Sequence, residues 1–173
     1  MKNSLLVAAL ATLMAVPAVA KVKTKHCDGG SQELCSDTAQ LVISGVVLPI
    51  CNIEVAATVA ASSLNISGGE SSTTIANVTE QSNVPTGYTV SVSSLNNGNL
   101  KHATVAGEQF AYQLSYDGGA NFGPTTAPAV VKTSGALPGF TTDVSAVKIS
   151  FPAQATAMVG TYSDTLSFTL QSL

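Results

Sequence analysis

Tyr88-Thr89-Val90-Ser91-Val92-Ser93 alternates apolar and small polar residues without a break. Successive side chains of an extended strand point to opposite faces, so this period of two buries Tyr88, Val90 and Val92 and leaves the hydroxyl residues on a wet face. Phe110-Ala111-Tyr112-Gln113-Leu114-Ser115-Tyr116 repeats the pattern and runs into Asp117-Gly118-Gly119, a strong turn signal. Working outward, Leu41-Val42-Ile43-Ser44-Gly45-Val46-Val47-Leu48 is rich in β-branched residues, Pro49 interrupts it, and Ile50 to Val55 continues with alternation. That reads as two strand segments separated by a bend or bulge at Pro49. Further strands are predicted over 64–66, 74–79, 129–133, 147–151 and 166–170. Turn clusters at Gly68-Gly69, Asn83 to Gly87, Asn96-Asn97-Gly98 and Pro138-Gly139 separate them. Eight or nine short strands without a convincing helix predict an all-β fold, an immunoglobulin-like antiparallel β-sandwich. A parallel sheet would need crossover helices, and no fixed-period repeat points to a solenoid or propeller.

Composition agrees. Charged residues make up only 10% of the chain, too few to cover the outer faces of several helices. Trp is absent, so the core must be built from Val, Ile, Leu and Ala with a few Phe and Tyr anchors. The N-terminus has another character: Lys2, an apolar stretch from Leu5 to Val16, and Ala18-Val19-Ala20 together form a secretory signal peptide cleaved between Ala20 and Lys21. Its apolar run is shorter than the roughly 20 residues of a spanning helix, and no later stretch reaches that length, so no membrane span is expected after cleavage. The chain thus divides into a signal peptide (1–20), a polar N-terminal arm (21–37) and one β-sandwich domain (38–173) that is exported. Beyond the signal stand six lysines, no arginine and ten acidic residues, which argues against nucleic acid as a partner.

Export permits disulfides, and Cys27, Cys35 and Cys51 allow at most one within the chain. Cys27 and Cys35 flank Asp28-Gly29-Gly30-Ser31, so a bridge closing that small loop is expected, with Cys51 a buried strand thiol; bridges 27–51 and 35–51 are the alternatives.

Catalytic chemistry has little to stand on. The two imidazoles, His26 and His102, lie in no nucleophile elbow or metal-binding helix motif, and the chain is not expected to be an enzyme. His26, Cys27 and Cys35 lack zinc-finger spacing, and Asp117 to Asn121 lacks the alternating oxygens of a calcium loop, so no metal or cofactor is expected. Tyr88, Tyr112, Tyr116 and Phe122 are read as core residues rather than as a sugar-stacking platform.

Gly160-Thr161-Tyr162-Ser163-Asp164-Thr165-Leu166-Ser167-Phe168-Thr169-Leu170 resembles the closing strand of bacterial chaperone–usher fimbrial (pilin-like) subunits and of the related spore-coat-U-like domains. In those families a glycine some fourteen residues from the end precedes alternating apolar residues, a pattern matched by Gly160, Leu166, Phe168 and Leu170; the usual penultimate aromatic is replaced by Ser172. Ile43-Ser44-Gly45-Val46-Val47-Leu48-Pro49-Ile50-Cys51 similarly resembles the first core strand of such subunits, although the usual partner of its cysteine is missing.

The resemblance implies an incomplete sandwich whose missing strand leaves an apolar groove. A periplasmic chaperone fills that groove first, and then a neighbouring subunit's N-terminal extension. It implies a structural subunit of a surface fibre or coat, passing through the periplasm to the cell surface. Residues 21–37 lack the alternating apolar side chains of a donor strand, so Leu41, Ile43 and Val47 are the donor candidates unless they complete their own domain. The alternative function is a self-contained extracellular module that binds a carbohydrate or protein.

Overall fold

A computed structural model of the chain describes residues 38–173. Ten strands carry the fold: β1 (Cys51–Ala57), β2 (Glu70–Ser82), β3 (Tyr88–Ser94), β4 (Asn99–His102), β5 (Gln109–Ala111), β6 (Gln113–Tyr116), β7 (Ala129–Thr133), β8 (Thr141–Phe151), β9 (Tyr162–Ser163) and β10 (Leu166–Ser172). The helical content is one short 3-10 turn, Val59–Ser62. Every strand pairing is antiparallel. One sheet has the order β1-β2-β8-β6, a second β10-β3-β7, and a small third β5-β4-β9. The all-β sandwich expected from the period-two stretches is the fold.

The alternation that predicted the fold is what builds the core. Along β3 the residues Tyr88, Val90, Val92 and Ser94 are buried and those between them partly exposed. Ala76, Val78, Glu80 and Ser82 of β2 and Ser145, Val147, Ile149 and Phe151 of β8 are buried in the same rhythm. Each fully buried Val or Leu on these inner faces contributes about 1.5–3 kcal/mol relative to exposure. Turn chemistry holds the register: Asp117 and Gly118 both take positive φ, 50° and 72°, and Gly119 N–H donates to Tyr116 O at 2.9 Å. The primed turn this describes suits the right-handed twist of the flanking strands.

Three sequence expectations fail. Residues 38–50 form no strand, so the pairing expected for Leu41–Leu48 is absent and the first strand starts at Cys51, beyond Pro49. Residues 64–66 are a loop, although Leu64 and Ile66 still pack against the core. The stretch 110–116 is two strands in different sheets, broken at Tyr112, whose backbone N–H turns to Gly98 O (3.0 Å) while its ring is buried. Unbroken alternation cannot reveal that switch, because a strand that changes sheets can keep facing the same core. The short strands β4 and β9 carry too few apolar residues to be seen in the sequence.

Candidate functional site: an open seam between two edge strands

β1 ends the four-stranded sheet and β10 ends the facing three-stranded one. The two strands run close to each other without pairing. Each presents its outer row of backbone N–H and C=O groups to the gap between them, and such an unpaired edge is a template for another strand.

The side chains on these edges behave differently from those of the central strands. On β10 the inward positions Leu166, Phe168 and Leu170 are half-buried, whereas Val90 and Val92, opposite Leu170 and Phe168 on β3, are fully buried. On β1, Ile53 is half-buried and Val55 is 46% exposed. Beside the end of β1 and the start of β10 a cavity of about 310 Å³ opens into the core, lined by Val55, Ala57, Leu166 and Phe168 and, deeper, by Val147 and Ile149. Alternation on both strands is thus aimed at a core that is not closed over them.

The turn leading into β10 is anchored by the Gly-x-Tyr-x-Asp stretch that sequence reading singled out. At Gly160 any Cβ would collide with the His102 imidazole. Tyr162 packs its ring edge-on against His102 (centroids 5.0 Å) and tilted against Phe110 (5.4 Å), and places its hydroxyl 2.8 Å from Glu108 Oε1. Hydrogen bonds from Met158 N–H and from Tyr162 hold the Glu108 carboxyl below its ordinary range. Asp164 accepts from Ser94 Oγ and Tyr112 Oη, both at 2.6 Å, and from the backbone N–H groups of Asn96 (2.9 Å) and Thr165 (2.7 Å). Burial, reinforced by the Asp164 carboxylate, raises the Tyr112 phenol. One aspartate therefore fastens the start of β10 to the β3–β4 turn, leaving the strand's free side unencumbered. His102 is spent structurally: its Nδ1 accepts from the N–H groups of Thr104 and Val105 (3.1 and 3.0 Å), and its Nε2 sits 3.1 Å from Val159 O.

A second polar cluster escaped sequence reading. Glu80 lies fully buried at an inward position of β2. It accepts from Tyr88 Oη (2.7 Å) and Tyr116 Oη, and pairs with Lys132 Nζ at 2.9 Å. Lys132 also reaches Asp143 (2.6 Å), Ser145 Oγ (2.9 Å) and Asp117 (3.3 Å). Burial works against ionisation of Glu80, yet hydrogen bonds from Tyr116, Lys132, Ser145 and Tyr88 outweigh it and hold the carboxyl below its ordinary range. Burial likewise opposes charge on Lys132, and its bonds to Asp143 and Glu80 overcome that and raise its pKa. With every polar group partnered, the cluster is a tie between the sheets rather than a reactive centre. The signal available in the sequence was a glutamate in phase with Ala76, Val78 and Ser82 on the inward face of β2.

Of the other residues marked in the sequence, Ala20, Lys21, His26, Cys27 and Cys35 lie outside the described residues. Cys51, expected to be a buried thiol, is exposed at the first position of β1 and has no sulfur partner among the described residues. It is exposed because it begins an edge strand, with β2 on one side only. Leu41, Ile43 and Val47, expected in a strand, are 80%, 86% and 87% exposed and in no strand. Tyr88, Tyr112 and Tyr116 are core residues and Phe122 packs against that core, as expected, so they form no exposed platform. Among the described residues no cluster of His, Cys, Asp and Glu could hold a metal, and no helix is long and apolar enough to cross a membrane. Neither a protein-family model nor a curated protein matches the chain.

Proposed function

We propose that this chain is an exported structural subunit of a surface fibre or coat and that it joins its neighbours by strand addition. The observation that carries the reading is the pair of unpaired edges, β1 and β10, beside a cavity of largely apolar lining and with the inward residues of β10 only half-buried. A strand added along the free edge of β10 would complete that edge's main-chain hydrogen bonds and place alternate side chains over the half-buried Leu166, Phe168 and Leu170; because β1 and β10 approach within 8 Å of each other, its entry would move β1 aside.

The same chain carries a segment suited to that place. Residues 41–48 are apolar, β-branched and exposed, and their eight residues match the seven-residue lengths of β1 and β10. So long an exposed apolar run is costly in an isolated soluble protein and is relieved when a neighbouring copy receives it. Before assembly, a periplasmic chaperone would cover the seam with a strand of its own.

The test is made on the mature chain, residues 21–173, by size-exclusion chromatography with light scattering. Assembly into head-to-tail polymers, lost when Leu41, Ile43 and Val47 are replaced together by Asp, is the expected result. A folded monomer at every concentration, unable to bind a peptide spanning residues 41–48, would refute the proposal.

A further inference from the structure

Strand addition raises a question of specificity, because residues 41–48 are joined to β1 by only Pro49 and Ile50, and β1 is itself one wall of the seam. Leu48-Pro49-Ile50-Cys51 is well suited to a reverse turn, with proline at the second position. Such a turn would fold 41–48 back along the free edge of β1 and fill the domain's own seam. We infer that Asn83 is the positioning residue that forbids this turn and thereby reserves the seam for another copy of the chain, an inference that rests on the function proposed above.

The geometry is specific. Asn83 Nδ2 donates to Leu48 O at 2.9 Å, and Asn83 Oδ1 accepts from Ile50 N–H at 2.6 Å, so one side chain grips the backbone on both sides of Pro49. Asn83 N–H also donates to Ile50 O at 3.3 Å, continuing by one step the pairing of Cys51 with Ser82. Backbone pairing ends there because β2 gives way to the Val84-to-Gly87 turn, closed by Gly87 N–H on Val84 O (3.0 Å). The amide side chain thus takes over where the ladder stops.

Both of its bonds turn the backbone of 48–50 toward β2. A reverse turn needs Leu48 O to face the opposite side, where strand alternation places the N–H of Cys51, so Leu48 O cannot serve both. Pro49, lacking an N–H, offers no competing donor. The result is that Leu48 to Ile50 is held on the β2 side while Val46, Val47 and Leu48 stay exposed.

The experiment reads whether the seam is empty, using a fluorescent peptide spanning residues 41–48 and mature chain at concentrations too low for polymerisation. Chain with Leu41, Ile43 and Val47 changed to Asp, and wild-type chain, both bind the peptide. Asn83→Ala, freed to fold its own segment inward, binds about tenfold more weakly, the scale of two lost hydrogen bonds. Adding the three Asp substitutions to Asn83→Ala restores binding, which also establishes that the variant is folded. Should Asn83→Ala not fold, Asn83→Asp, which keeps the acceptor for Ile50 and loses the donor to Leu48, is read in its place with the same expected direction. Unchanged peptide binding by the Asn83 variant overturns the inference and leaves the proposed function standing. Failure of the three-Asp chain to bind the peptide removes the proposed function itself.

Discussion

The three-stranded sheet has two edges that are treated in opposite ways. At β7, Lys132 reaches across to the facing sheet and joins Glu80 of β2 and Asp143 and Ser145 of β8, with Tyr88 and Tyr116 completing the shell of Glu80. At β10, no side chain of comparable reach crosses to β1, and apolar residues on both strands stay half-exposed around a cavity. Both edges are unpaired and both border a cavity, but only β7 is locked to the facing sheet by partnered charge.

The largest effect is expected from breaking the locked edge. Lys132→Met leaves Glu80 buried without its cation and should cost about 3–5 kcal/mol in urea unfolding of residues 21–173. A loss below 1 kcal/mol would mean that the tyrosine hydroxyls suffice and that the lock is not ionic.

Next comes the anchor of the open edge. Asp164→Ala removes the acceptor of Ser94, Tyr112, Asn96 and Thr165 and should cost about 2–3 kcal/mol, since the buried Tyr112 hydroxyl loses its partner. Hydrogen exchange should rise along β10 and leave β7 unchanged; equal rises at both edges would erase the distinction.

Acid should act on the locked edge. Glu80 and Asp143 are held below their ordinary values of 4.5 and 3.8, so their contribution is complete above those values and is lost as pH falls through the lower folded-state values. The raised Lys132 works in the other sense: its contribution is complete below its ordinary 10.5 and is lost as pH rises through the higher folded-state value. Thermal melts should therefore lose stability below about pH 4 and above about pH 11, and Lys132→Met should shrink both limbs, with the raised phenols of Tyr88 and Tyr116 keeping part of the basic one.

The smallest effect belongs to the open edge itself. Phe168→Ala should cost only about 1–2 kcal/mol in the isolated chain, because the ring is half-buried there. The loss should grow once a peptide spanning 41–48 is bound and the ring is covered. An equal cost with and without peptide would mean that the strand does not lie over Phe168.

Much of the framework could be read from residues alone. The alternation at 88–93 named the inward face of β3 residue by residue, and Asp117-Gly118-Gly119 named the turn after β6, because side-chain period and positive-φ tolerance are local properties. Gly160 and the apolar positions 166, 168 and 170 were likewise visible as a closing strand. Leu41–Leu48 misled for an instructive reason: β-branched composition reports suitability for a strand, and forming one requires a partner edge. Inside the described chain this segment pairs with none of the free edges.

What the amino-acid sequence determined by itself is the all-β character, the inward faces and most of the turns, all of which follow from the order of neighbouring residues. Tertiary structure alone decided which strands became edges, that Glu80 and Lys132, far apart in the chain, would lock one of them, and that Asn83 would meet the backbone around Pro49. Those outcomes depend on which distant segments pair, and pairing is settled by the free energy of the whole core rather than by any local pattern.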